Sequence, residues 1–155
     1  MKNIINGLII IVLLISCEKE NVTVNTFEIE YSVMSGWVDY NYSAHISNNG
    51  VLIVTEEFNT YDYFREDNFT LTIKELDLIR EQLKALTEID IINEYGFGVN
   101  KPTDQPVTKL SYITNCKTDS TRIYYPDANE LPDNLELFLS TIELVVFDND
   151  TLKNY

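Results

Sequence analysis

Positive charge is scarce in this sequence. Eleven Lys and Arg stand against 25 Asp and Glu in 155 residues, a formal net charge of −14. A nucleic-acid binder needs a basic stripe to neutralise phosphates, so DNA and RNA are excluded as partners. Histidine is scarcer still. His45 stands alone, which excludes a His-rich metal centre. Only Cys17 and Cys116 are present, so no thiolate zinc pattern exists. Glycine is sparse too: Gly96-Phe97-Gly98 has neither the third glycine nor the Lys-Ser/Thr ending of a phosphate loop. Long apolar runs are missing. The longest, Leu8 to Ile15, falls short of the about 20 residues that a membrane-spanning helix needs.

Large apolar side chains, by contrast, are plentiful. The chain is 45% hydrophobic and 12% aromatic, enough to fold around a core as a single domain without a disulfide or metal staple. The N-terminus has a separate purpose. Lys2, the apolar run and the small residue Ser16 have the order of a secretory signal peptide. Its ending, Leu14-Ile15-Ser16-Cys17, resembles the lipobox of bacterial lipoproteins. That resemblance implies cleavage after residue 16, lipid on Cys17, and attachment to the outer membrane, facing the periplasm or the cell surface. Residue 18 is Glu, and Glu18-Lys19-Glu20 resembles the charged tract that sends some lipoproteins to the surface. Removal of residues 1–16 takes away one cation, Lys2, and leaves a charge of −15. With Cys17 occupied, Cys116 has no intramolecular partner. Its setting, Thr114-Asn115-Cys116-Lys117, reads as an exposed turn.

Residues 17–25 read as a lipidated tether, 26–147 as one α+β domain, and 148–155 as a polar tail. Phe27, Ile29, Tyr31 and Val33 alternate with polar residues, the pattern of a half-buried strand. Val38 to Ser47 repeats it. Asn49-Gly50 signals a two-residue hairpin that sets Ile46 against Ile53, Ala44 against Thr55 and His45 against Val54. In that register Tyr40, Tyr42, Ala44 and Ile46 share a core face with Val51 and Ile53. Glu28, Glu30, His45 and Glu56 lie on the outer face. Tyr61 to Leu71 reads as a fourth strand, interrupted near residues 65–68. Thr72-Ile73-Lys74-Glu75 fits a capping box, and Leu76, Ile79, Leu83 and Leu86 continue it at helical spacing. A second hairpin follows at 107–125, and a last helix at about 132–147. The expected fold is α+β: an antiparallel sheet of about six strands (four strands, helix, hairpin, helix), with both helices packed on one face.

Catalytic sets are thin. His45 as a general base needs a nucleophile and an orienting acid, and its same-strand neighbours Ser43 and Ser47 do not converge on it. Asp148-Asn149-Asp150 begins like a calcium loop but lacks the central Gly and distal Glu. Glu56-Glu57 with Asp62 are the carboxylates that a glycan hydrolase would use. Aromatics are the enriched type. Tyr63 and Phe64 point to opposite faces of a strand, so Tyr61, Tyr63 and Phe64 supply at least one surface ring. Together with Glu28, Glu30 and Glu56 they are the candidate partner-binding residues.

The ordered features Ser35-Gly36, Asn49-Gly50-Val51, Thr72 to Leu76, Tyr95, Thr103-Asp104-Gln105-Pro106 and Pro132 to Leu135 resemble a family of small secreted bacterial lipoproteins with one uncharacterised domain. The likeness spans roughly residues 27–147, without the Cys near the first turn that many relatives carry. More distantly, the strand–helix–hairpin–helix order resembles emfourin, a small inhibitor of thermolysin-like metalloproteases. These features imply a monomeric, non-catalytic binding or interaction domain on a lipid anchor, with no cofactor and with a basic protein as partner. The alternatives are a protease inhibitor, a toxin-immunity protein, or a carboxylate-dependent glycan hydrolase.

Overall fold

A computed structural model describes residues 23–35, 39–89, 91–96, 106–124 and 131–152. Cys17 and the signal segment, the Gly36 turn and most of the 96–106 loop lie outside the described residues. The strands are β1 (Phe27–Ser35), β2 (Tyr40–Ser47), β3 (Val51–Phe58) and β4 (Tyr63–Thr70), followed by helix α1 (Ile73–Thr87). Then come β5 (Glu94–Tyr95), β6 (Val107–Thr114), β7 (Thr118–Tyr124) and helix α2 (Asp133–Leu152). The strands form one seven-stranded sheet in the order β4-β3-β2-β1-β6-β7-β5. It is mixed, because β5 runs parallel to β7 while every other pairing is antiparallel. The α+β class is as expected. The extra strand and its parallel pairing are not, because a two-residue strand has no periodicity to read.

Strand alternation separates two faces. Phe27, Ile29 and Tyr31 of β1, Tyr42, Ala44 and Ile46 of β2, and Leu110 and Tyr112 of β6 are buried. They pack with Leu76, Ile79, Leu83 and Leu86 of α1 and with Leu135, Phe138, Leu139, Ile142 and Val146 of α2 in one hydrophobic core. The α1 start is a complete capping box: Thr72 N–H donates to Glu75 Oε2 at 2.6 Å, and Glu75 N–H donates to Thr72 Oγ1 at 3.3 Å.

The β2–β3 hairpin differs from expectation by one residue. Ile46 opposes Leu52, Ala44 opposes Val54, and His45 opposes Ile53. The loop is therefore Asn48-Asn49-Gly50, three residues long, with Gly50 left-handed at φ +88 as such loops require. Asn49 Oδ1 accepts from Val51 N–H at 3.2 Å and stabilises this turn. A one-residue shift flips a strand. Leu52 and Val54 are fully buried, whereas Val51 is 37% exposed. Glu56 turns with them: it opposes Tyr42 and lies on the helix side, not on the outer face with Glu28 and Glu30. β4 is continuous through 65–68, paired with β3 at every position from Tyr63 to Thr70.

α2 runs on to Leu152, past Phe147 and through the start of the segment that reads as a polar tail. At the other end, Val24 is already part of the core, and Asn115 holds residues 23–25. Its Oδ1 accepts from Asn25 N–H at 3.0 Å, and its Nδ2 donates to Thr23 O at 3.1 Å.

Candidate functional site

The three candidate rings come together at one corner of the sheet. The β3–β4 connection is a single 3-10 turn, Asn59–Tyr61, closed by Asp62 in the left-handed region at φ +50. Asx side chains tolerate that conformation better than most. The reversal projects Tyr61 and Tyr63 toward Phe58, with ring centroids 6.4 and 5.8 Å from it. Tyr40 packs against Phe58 with ring centroids 4.5 Å apart and planes tilted by 43°. Glu56, Phe58, Tyr61 and Tyr63 line a shallow hollow of about 360 Å³. Tyr61 is 74% and Phe64 63% exposed. Phe64 opposes Glu57 on the outer face, so the rings wrap both sides of the edge strand β4.

Glu56 belongs to this corner but is already occupied. Arg65 reaches it at 3.5 Å, lies 3.3 Å from Asp67, and also pairs with Asp150 of α2. Tyr40 Oη donates to Glu56 Oε1 at 3.3 Å. Burial first, then the Glu56 charge and that hydrogen bond, push the Tyr40 phenol up to about 12. Burial, with the Asp150 charge second, likewise pushes the Tyr42 phenol well above its ordinary range. Glu57 points to the opposite face, as strand alternation demands, so Glu56 and Glu57 cannot converge on one glycosidic bond.

Glu28 and Glu30 are exposed on the outer face of β1, away from the corner. His45 Nδ1 lies 2.6 Å from Glu30 Oε1, across the β1–β2 pairing. The acid that would orient a catalytic histidine is therefore present. It comes from the neighbouring strand, which only the register reveals.

The outer face also holds a groove of about 780 Å³, lined by residues of β1, β5, β6 and β7 that include Glu30, Glu94, Lys109 and Arg122. The residue-by-residue reading of motifs missed it, since its components share a face only once β6 is placed beside β1. Cys116 is exposed in its turn. Among the described residues no cluster of three or more His, Cys, Asp or Glu is placed to hold a metal ion. Among them, too, no helix is long and apolar enough to cross a membrane.

No protein-family pattern matches the chain, and no curated protein matches it in sequence.

Proposed function

We propose that this protein is a lipid-anchored envelope protein whose α+β domain binds a basic protein partner and performs no catalysis itself. The lipid anchor rests on Leu14-Ile15-Ser16-Cys17 at the end of a short apolar run. The binding reading rests on one observation: Tyr61, Tyr63 and Phe64 are all exposed around β4, the last strand in the sheet order. Rings of this kind desolvate readily and act as anchors at protein interfaces. Their surroundings are acidic. Glu57, Asp62, Glu66 and Asp67 lie on the same two strands and the turn between them. A lysine- or arginine-bearing segment would match that charge and present alkyl stems to the rings.

Full-length protein immobilised in detergent and exposed to envelope extract tests this reading. A partner should be retained at low salt and released at high salt. It should be lost when Tyr61 and Phe64 are both replaced by Ala, and kept when Leu144, an exposed residue of α2, is replaced. Retention that ignores both salt and the two rings would refute the proposal. Replacement of Cys17 by Ser, followed by membrane fractionation, tests the anchor separately: the variant should lose lipid labelling and membrane association.

A further inference from the structure

The outer groove is ordered in rows, because residues that oppose one another across strands stand side by side on one face. One row runs Ser32, Lys109, Arg122, Glu94 across β1, β6, β7 and β5. The adjoining row runs His45, Glu30, Ser111, Ser120 across β2, β1, β6 and β7. On the other side of the charged row stand Met34, Val107 and Tyr124. Hydroxyls and cations therefore lie next to one another in a single depression, and the apolar residues stand outside its lining.

Its centre is unusual for so acidic a chain. Lys109 and Arg122 oppose each other directly. Like charges in that position repel and destabilise a sheet. Arg122 is partly balanced by Glu94 at 3.7 Å. The Lys109 ammonium meets Met34 Sδ at 3.6 Å. Among the described residues no carboxylate lies within ion-pair range of it. A cation with no carboxylate beside it among the described residues, set against a second cation, is a place where negative charge is wanted.

We propose that this groove binds a small acidic sugar of the uronic-acid class. Its carboxylate sits between Lys109 and Arg122. Its hydroxyls meet Ser111, Ser120 and the Glu30 carboxylate. A bare anion would use only the charged row, and a neutral sugar only the hydroxyl row. This site is on the sheet face, distinct from the aromatic corner, and stands or falls independently of the protein-binding reading.

Full-length protein in detergent, titrated with glucuronate, glucose and inorganic phosphate in saturation-transfer NMR, tests the assignment. Glucuronate should bind, with glucose and phosphate each weaker by about tenfold or more. Lys109→Gln and Arg122→Gln should each weaken glucuronate by about tenfold, while Lys84→Gln on α1 leaves it unchanged. Thermal melts of the Lys109→Gln protein should be no lower than those of the parent, since a repulsion has been removed. Failure of glucuronate to bind, equal binding of glucose, equal binding of phosphate, or indifference to both substitutions would each overturn the assignment. A melt that falls sharply with Lys109→Gln would show that the lysine supports the fold instead, and would overturn it as well.

Discussion

Glu75 joins three segments at once. Its carboxylate accepts from the Thr72 backbone and hydroxyl, closing the first turn of α1, and from Asn149 Nδ2 of α2 at 2.8 Å. Burial alone would raise its pKa, but the bonds from Thr72 and Asn149 outweigh it and hold the group below its ordinary value of 4.5. A carboxyl depressed in the folded state contributes stability above its unfolded pKa and loses it as pH falls through the folded value. Glu75→Ala should therefore cost about 1 kcal/mol at pH 7, the scale of a helix cap. The gap to the parent should narrow steadily once the pH drops below 4.5. Urea midpoints at pH 7 and pH 3 measure both; a gap that is constant with pH would mean that the carboxylate charge contributes nothing. Thr72 and Glu75 could be recognised from the chain because a capping box is local. Asn149 could not, because it lies 74 positions away.

The end of α2 shows how an element can outrun its own local signals. Its last turn carries acidic residues and no basic ones, which opposes the helix dipole. Periodicity also fades after Phe147. Arg65 on β4 reverses this by pairing with Asp150 and supplying, from the sheet, the positive charge that the helix lacks. Both side chains are largely covered, at 26% and 14% exposure, so solvent screens the pair only in part. Asp150→Ala should destabilise the protein by about 1.5–3 kcal/mol, the range for a hydrogen bond to a charged group. In a double-mutant cycle with Arg65→Met the two changes should couple by at least about 0.5 kcal/mol in urea denaturation; strict additivity would mean that the helix end stands by itself. The β3 register was unreadable for a related reason. Val51-Leu52-Ile53-Val54 is apolar at every position, so either phase buries two aliphatic side chains. The alternation of β1 and β2, with polar residues at every second place, left no such freedom. Glu56 inherits the phase of β3, so a two-residue loop would put it on the outer face and the three-residue loop puts it opposite Tyr42. The aromatic corner needed less: adjacent strand residues point apart, so a surface ring among Tyr63 and Phe64 followed from spacing alone.

At the scale of the whole molecule, the two ends of the sheet have different neighbours. The Asn48-Gly50 turn and the Asn115 turn flank the start of β1, where residues 23–25 are held. Phe58 and Tyr63 lie at the far end of β3 and β4, opposite Tyr40. Eight residues of strand separate the ends of β3, roughly 25 Å at about 3.4 Å per residue. With lipid on Cys17, as proposed, only five residues lie between the anchor and Thr23, and the six residue steps of a fully extended chain span no more than about 20 Å. The tethered end must then stay close to the bilayer, while the sheet carries the rings outward toward a partner. An acidic domain is also repelled by anionic lipid, which favours the upright arrangement over one lying flat. Fluorescence energy transfer in vesicles with acceptor-labelled headgroups measures this. A donor on the native Cys116 should transfer efficiently. The same donor on Tyr61→Cys, in a protein with Cys116→Ser, should transfer much less, and the contrast should grow as anionic lipid is added. Equal transfer from both positions would lay the sheet along the membrane and remove the corner from the reach of a soluble partner.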